Sequence, residues 1–445
     1  MRLRALGLAR PRRLRSDRER RPRRRRSSAG RAQGLRGVLP QAGDPNRPDP
    51  QRLVVDYVSN SRAAARARRR EAAEVASFVR RLDWILLGSV AALVGYGLWA
   101  IAGITHHDVP GNQGYYLTRQ SVYVVIGVLG LLIATLIDPD LYRTRWRVIF
   151  GGTSFLIAIV LLAGPIRGSK RWLDLGFFRF QPSEFGKVLF VLALAGFLAE
   201  RSRRLHEVRT TLTAIGLASI PIFLVFLQPD FGSALVYCAA VGAVLFVAGT
   251  PWTHIAALAA GAVALTVLVL GALPAAGVPI LKDYQQKRLT SFLNPDQDPG
   301  GTTYNITQSK NAIGAGQLRG RGVDNATQTT LNFLPEHHTD FVFASLAEER
   351  GFVGASLLLM LYLLVVWRGL RIVTLARDPF SAIVAGGLVF ALLFQIFVNV
   401  GMTMGIAPIT GIPLPFVSVG GSSMIANLIA IGILLSIHVR ARARR

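Results

Sequence analysis

Half of this 445-residue chain is hydrophobic (51%) and only 17% is charged, which leaves too few polar side chains to cover the outside of an ordinary soluble domain. The formal net charge of +26 is concentrated at one end: residues 1–81 hold 24 of the 51 Lys and Arg but only 7 of the 25 Asp and Glu. Cys238 is the only cysteine, which excludes disulfides within the chain and metal sites built on several thiolates.

Residues 1–81 include the run "RRPRRRRSSAGR", with scattered Pro and Gly and almost no apolar periodicity. Such a stretch buries too little apolar surface to offset chain entropy, so a largely disordered tail is expected, on the cytoplasmic side. Nucleic-acid binding is the alternative reading of so basic a segment. Anionic lipid headgroups and the retention of Lys and Arg inside the cell account for basic residues beside a membrane segment without it, so no nucleic-acid partner is expected. The apolar run that starts at Trp84 is long and looks uncleaved, and reads as a first membrane span.

A spanning helix needs about 20 mostly apolar residues, because the hydrocarbon core is roughly 30 Å thick. Stretches of that kind recur near 84–104, 118–137, 146–163, 182–199, 209–227, 231–249, 253–272, 341–367, 381–404 and 417–438. The expected fold is therefore all-α, a polytopic bundle of about ten transmembrane helices over residues 82–438. The basic connectors "RTRWR" (143–147), "ERSRRLHEVR" (200–209) and "WRGLRIVTLARD" (367–378), and the terminal tail 439–445, fall on the side shared with the basic N-terminal tail. Both termini are thus expected in the cytoplasm, with a large extracytoplasmic loop at 273–340 between the seventh and eighth spans. That loop mixes aromatic and aliphatic residues with Lys282, Lys310, Arg319 and Arg321, and is expected to fold over the outer mouth of the bundle.

Ionisable groups within apolar spans are costly, so each is a candidate for function. Glu184 and Lys187 lie three apart on one helical face, where they can pair; the plain reading is a buried ion pair that fixes packing. Asp230, in "QPDFGSA", reads as a turn former or cap. For Asp340, in "FLPEHHTDFVFASLAEERG", two readings stand open: an N-cap of the eighth helix, or a carboxylate held at the outer surface beside an electropositive loop. Glu348 and Glu349 are expected to pair with residues such as Arg350. A metal site from Glu336, His337, His338 and Asp340 has a weak basis, because adjacent histidines point different ways and no zinc-motif spacing is present. A loosely held magnesium or manganese ion bridging substrate phosphates fits better than a dedicated cage, and no tightly bound cofactor is expected. Phosphate-binding loops, dinucleotide fingerprints and nucleophile elbows are absent from the sequence, which leaves ATP-driven transport without support.

Five ordered segments together resemble the RodA/FtsW family, the SEDS proteins: "GSKRWLDLGFFRFQPSEFGK" (168–187), "QPDFGSAL" (228–235), "RLTSFLNPDQDPGGTTYNITQSKNAIGAGQLRGRG" (288–322), "NFLPEHHTDFVFASLAEERGFVG" (332–354) and "GIAPITGIPLPFVSVGGSSMIANLIAIGIL" (405–434). The resemblance implies polymerisation of lipid II into glycan strands outside the cytoplasmic membrane. It places the essential acid at Asp340, in "HTDF", and the paired acid and base of the fourth helix at Glu184 and Lys187. Phe185 and Gly186 stand where larger aliphatics are common in the family, and Val419 replaces a frequent aromatic; neither departure removes a charge. "FLPEHHTDF" and "TQSKNAIGAGQLRGRG" look RodA-like, implying a role in elongation and rod shape, with an FtsW-like division role as the alternative. Asp340 is expected to act as base on the acceptor hydroxyl. Lys282, Lys310, Arg319, Arg321 and His338 are the candidates for substrate binding. The resemblance further implies a class B penicillin-binding protein transpeptidase as partner, with other membrane proteins of an elongation or division complex and the lipid itself. Two readings from other classes are a lipid II flippase or transporter, which needs polar groups through the whole bundle, and a scaffold without catalysis.

Overall fold

The computed structural model describes residue 73 and residues 76–162, 171–174, 176, 178–269, 273–275 and 302–443. Most of the basic tail, Lys282 and residues 276–301 of the expected outer loop lie outside the described residues. The described part is a helical bundle. Its helices are α1 (Trp84–Ile104), α2 (Tyr115–Leu136), the short α3 (Pro139–Thr144), α4 (Trp146–Ile159), α5 (Pro182–Glu200), α6 (Val208–Leu227), α7 (Phe231–Ala248), α8 (Trp252–Val267), α9 (Thr302–Gly316), the short α10 (Thr327–Thr330), α11 (Val342–Leu375), α12 (Pro379–Thr403) and α13 (Gly421–Ala443).

Eight of these, α1, α2, α5, α6, α7, α11, α12 and α13, are long and apolar enough to cross a membrane. The third and seventh expected spans are shorter apolar helices: α4 reaches 17 residues only with the 3-10 turn to Leu162, and α8 has 16. Both run up to residues outside the described ones, which begin at 163 and at 270. A two-stranded antiparallel hairpin, β1 (Leu173–Asp174) with β2 (Arg179–Phe180), adds a small sheet to the otherwise helical architecture.

Local sequence sets the helix starts. Asp138 and Asp378 each precede a proline and cap the helix that follows, Asp378 accepting from the Ser381 amide at 2.9 Å. The carboxylate satisfies an amide that the first turn cannot, and proline at the first position gives up no hydrogen bond. Asp83 caps α1 through the Leu86 amide and also binds the Arg368 guanidinium at 2.6 Å.

Packing arranges the helices around α5 and α13, the most enclosed of the spans, with α12 beside them. α13 packs along α2, α12 along α7, and α11 between α1 and α12. Small residues allow the approach: Gly432 lies against the Leu131 backbone, Gly127 against Leu428, and Gly196 against the Trp146 ring. α8 buries none of its residues.

The bundle has two distinct ends. At one, Asp83, Arg368 and His438 meet, Arg147 pairs with Glu200, and Arg440 reaches Asp138. These contacts gather the basic connectors that sequence groups on one side. At the other end lie the α1–α2 connection, the hairpin, the α6–α7 turn, α9, and the segments 331–341 and 405–420. A satellite core of Ile306, Ala312, Leu334, Phe341, Ala344, Met402, Ala407 and Ile409 holds α9 against those last two segments.

Candidate active site

Asp340 lies in a turn directly before α11, half-buried. The helix begins at Val342 with Phe341 in the cap position, so Asp340 stands one residue before the N-cap. The backbone beneath it is gripped residue by residue. The carbonyl of His337 accepts from Ser345 Oγ (3.2 Å), that of His338 from the Val419 amide (3.0 Å), that of Thr339 from Ser418 Oγ (2.5 Å) and that of Asp340 from Asn399 Nδ2 (2.9 Å). Four consecutive acceptors are thus met by α11, α12 and the 411–420 segment.

That segment is itself held from both sides. Asn399 Nδ2 also donates to the Ile412 carbonyl at 2.7 Å, and Gln120 on α2 donates to the Ser418 carbonyl and accepts from the Gly420 amide. Gly411 has φ +71, a conformation that side chains rarely adopt, and a Cβ there would lie 3.4 Å from Asp340 Oδ2. The carboxylate therefore sits over bare backbone on one side, on a platform that does not depend on a flexible loop.

The other expected residues distribute unevenly. Lys310, on α9, is exposed and lies across Gly405, whose φ of +73 and missing side chain make room for its ammonium. Arg319 is exposed in the turn after α9. Arg321 is committed within its own loop, its guanidinium donating to the Ala315 carbonyl and Thr327 Oγ1, both at 3.2 Å. His338 lies 3.5 Å from Asp108 and under the Tyr116 ring, centroids 4.6 Å apart. Lys282 is outside the described residues.

Glu184 and Lys187 form a buried ion pair at 2.9 Å in the first two turns of α5. They line a cleft with Leu388, Gln395, Phe416 and Asn427 whose empty space, mouth included, is ≈ 450 Å³. Asp230 caps α7 through the Ser233 amide and also accepts from Gln181 Nε2 and Ser183 Oγ, tying the starts of α5 and α7 together. Gln181 in turn donates its amide to Ser422 Oγ. The ion pair accordingly lies toward the end of the bundle that carries Asp340.

Glu348 pairs with no arginine among the described residues. Its carboxylate accepts from the amides of Gln328 and Thr329 and from Thr329 Oγ1, between 2.8 and 3.0 Å, capping the short α10. Glu349 is 3.8 Å from the Arg350 guanidinium, as expected for that pair. Asn399, Ser418, Gln120 and Asp108 escape sequence reasoning. The first three are neutral, and Asp108 looks like an ordinary acid in a loop; only contacts across the fold give them a place.

The structure can be set beside known proteins. Residues 78–443 match the family model for cell cycle proteins named after FtsW, RodA and SpoVE. This chain belongs to that family. It is 38% identical over 367 residues to the peptidoglycan glycosyltransferase MrdB of Escherichia coli, covering 81% of this chain and 94% of the relative. It is also 38% identical to a probable peptidoglycan glycosyltransferase FtsW of Thioalkalivibrio sulfidiphilus, over 81% of this chain and 90% of that one. A chain from a solved peptidoglycan synthase complex, described as coordinating polymerization and crosslinking, superposes with a TM-score of 0.69 at 33% identity, covering 81% of this chain and 98% of its own. The protein is a multi-pass membrane member of this family, with the family's fold.

Proposed function

We propose that this protein is a peptidoglycan glycosyltransferase that polymerises lipid II into glycan strands at the extracytoplasmic end of the bundle, with Asp340 as its general base. One observation carries the reading: every carbonyl from His337 to Asp340 is pinned by a separate donor, so the backbone that bears the Asp340 carboxylate is held in place. Pre-set geometry of that kind is what a proton-abstracting group needs. In the reaction the acceptor hydroxyl loses its proton to Asp340. Its oxygen bonds to C1 of the donor sugar from the face opposite the diphosphate, and the bond from C1 to the diphosphate oxygen breaks with its electron pair. A diphosphate leaves readily, so no separate carboxylic acid is required, which follows the inverting logic of sugar transfer.

Among the described residues, Lys310 and Arg319 are exposed at the same end and can steady the departing diphosphate; a magnesium or manganese ion carried in by it would add positive charge there. Arg321 braces its loop instead. The ion pair of Glu184 and Lys187 supports a site at one face rather than a conduit, because it too sits toward that end. The elongation branch is favoured by "FLPEHHTDF" and "TQSKNAIGAGQLRGRG", and the likeness to a chain of a synthase complex supports a class B penicillin-binding protein as partner.

Purified Asp340→Asn is expected to melt as the wild type does and to lose strand synthesis from lipid II by about 10²–10⁴-fold, with or without the transpeptidase. Polymerisation at a near wild-type rate overturns the assignment.

A further inference from the structure

Beside the Asp340 platform, the α1–α2 connection crosses the segment that precedes α11. Asp108 oxygens lie 2.9 and 3.1 Å from His337 Nε2, and one of them lies 3.5 Å from His338 Nδ1. The three ligand atoms are all within 4.8 Å of one another. The side chains are only 10%, 5% and 18% exposed, in that order. Consecutive histidines converge here because each uses a different nitrogen, and their rings stand at 77° to each other.

The other nitrogen of His337 has a contact of its own. Nδ1 lies 3.2 Å from the Leu334 carbonyl, which can only accept, so Nδ1 carries a proton. His337 Nε2 then faces the Asp108 carboxylate, and either a proton or a metal ion can bridge the two. A second imidazole, His338, converging on the same carboxylate is what a metal ion uses and a single bridging proton does not. Ligands about 2.1 Å from an ion are about 3.0 Å apart at right angles and about 3.4 Å apart in a tetrahedron; the separations from Asp108 to the two histidines are 2.9, 3.1 and 3.5 Å. A backbone carbonyl on the outer nitrogen of a ligating histidine is also how such rings are usually held.

We propose that Asp108, His337 and His338 bind one divalent transition-metal ion, zinc or manganese, with water completing its shell. Two imidazoles and one carboxylate suit these ions better than magnesium or calcium, which take oxygen ligands. The ion clips the α1–α2 connection to the chain two residues before Asp340. This site is separate from any ion that arrives with the diphosphate, and it does not rest on the glycosyltransferase reading.

The test uses full-length protein in detergent, without a polyhistidine tag and stripped by chelator, titrated with zinc or manganese in a calorimeter. One ion per chain is expected. The affinity falls at least about 10-fold in Asp108→Asn and in His337→Ala, and is unchanged in His206→Ala, an exposed histidine at the other end of the bundle. X-ray absorption at the zinc edge of the loaded wild type, which needs no variant to fold, should show imidazole scattering and no sulfur. The proposal is overturned if neither ion binds at one per chain, if both substitutions leave binding intact, or if imidazole is absent from the shell. Absence of binding would leave a proton as the charge between His337 and Asp108.

Discussion

Asn399 makes two bonds with one buried amide, to the carbonyls of Asp340 and Ile412, and so links the catalytic candidate to the segment that cradles it. Alanine there leaves the buried Ile412 carbonyl without this donor, at about 1–3 kcal/mol, and the partly buried Asp340 carbonyl at a smaller cost. Asn399→Ala is therefore expected to lower the turnover of strand synthesis by about 10–100-fold while the KM for lipid II changes little, since the loss falls on the positioning of the base. Equal loss in both parameters, measured on purified protein, would argue that the platform binds substrate rather than orients Asp340. The candidate acid itself was legible in sequence because a carboxylate at the edge of an apolar span stands out. Its support was not: Asn399 is a neutral side chain 59 residues from Asp340 and Ser418 is another, 79 residues from the Thr339 it holds, and nothing in the composition of α12 separates a clamp from an ordinary buried amide.

At the scale of elements, the eighth span departs most from its expected form. Hydropathy predicts one continuous helix near 341–367, and the helix does run from Val342 to Leu375, but Gly351 breaks it with φ 67 and ψ −165. The break is filled by the turn after α9. Amides of Arg321 and Gly322 donate to the carbonyls of Glu348 and Glu349, while those of Phe352 and Val353 donate to Gln317 and Leu318, all between 2.8 and 3.2 Å. Irregular backbone at a membrane span is tolerated when protein supplies the missing partners, as here. Hydropathy could not show this, because the apolar pattern continues through the break and the partner turn is polar and distant in sequence. Gly351→Ala puts a Cβ against the backbone of Arg319 and Gly320 in a conformation open almost only to glycine. It should cost about 2 kcal/mol or more of stability, read as a lowered melting temperature in detergent. Gly314→Ala, an open position within α9, should instead be neutral or gain up to about 1 kcal/mol, because alanine is the better helix former. Equal effects from the two would refute the packing account.

On the scale of the whole molecule, the ends of the bundle are fixed by different chemistry. The end with the basic connectors is locked by Arg368, which reaches Asp83 with two nitrogens while His438 lies 3.8 Å from the same carboxylate, all three side chains nearly sealed from solvent. Arg368→Met strands a buried carboxylate and should destabilise by about 3–5 kcal/mol. Adding Asp83→Asn should recover much of that loss, since asparagine keeps the cap of α1 and removes the unpaired charge. Thermal melts of the single and double variants measure the difference; a double variant no better than the single one rules out charge burial as the cause.

The opposite end gathers Asp340, Lys310, Arg319 and the Asp108 cluster, and the proposed chemistry requires that it face away from the cytoplasm. Lys and Arg retention puts the basic end inside, so the two ends should be told apart by a reagent that cannot cross the membrane. Asp324 is exposed beside the Asp340 end, and Glu207 is exposed between α5 and α6 at the other. With Cys238 replaced by alanine, Asp324→Cys should react with an impermeant maleimide on intact cells from which any outer membrane has been removed. Glu207→Cys should react only after the cytoplasmic membrane is permeabilised. The reverse pattern would place Asp340 on the cytoplasmic face, where it could not serve a polymerase that works outside, however well its backbone is clamped.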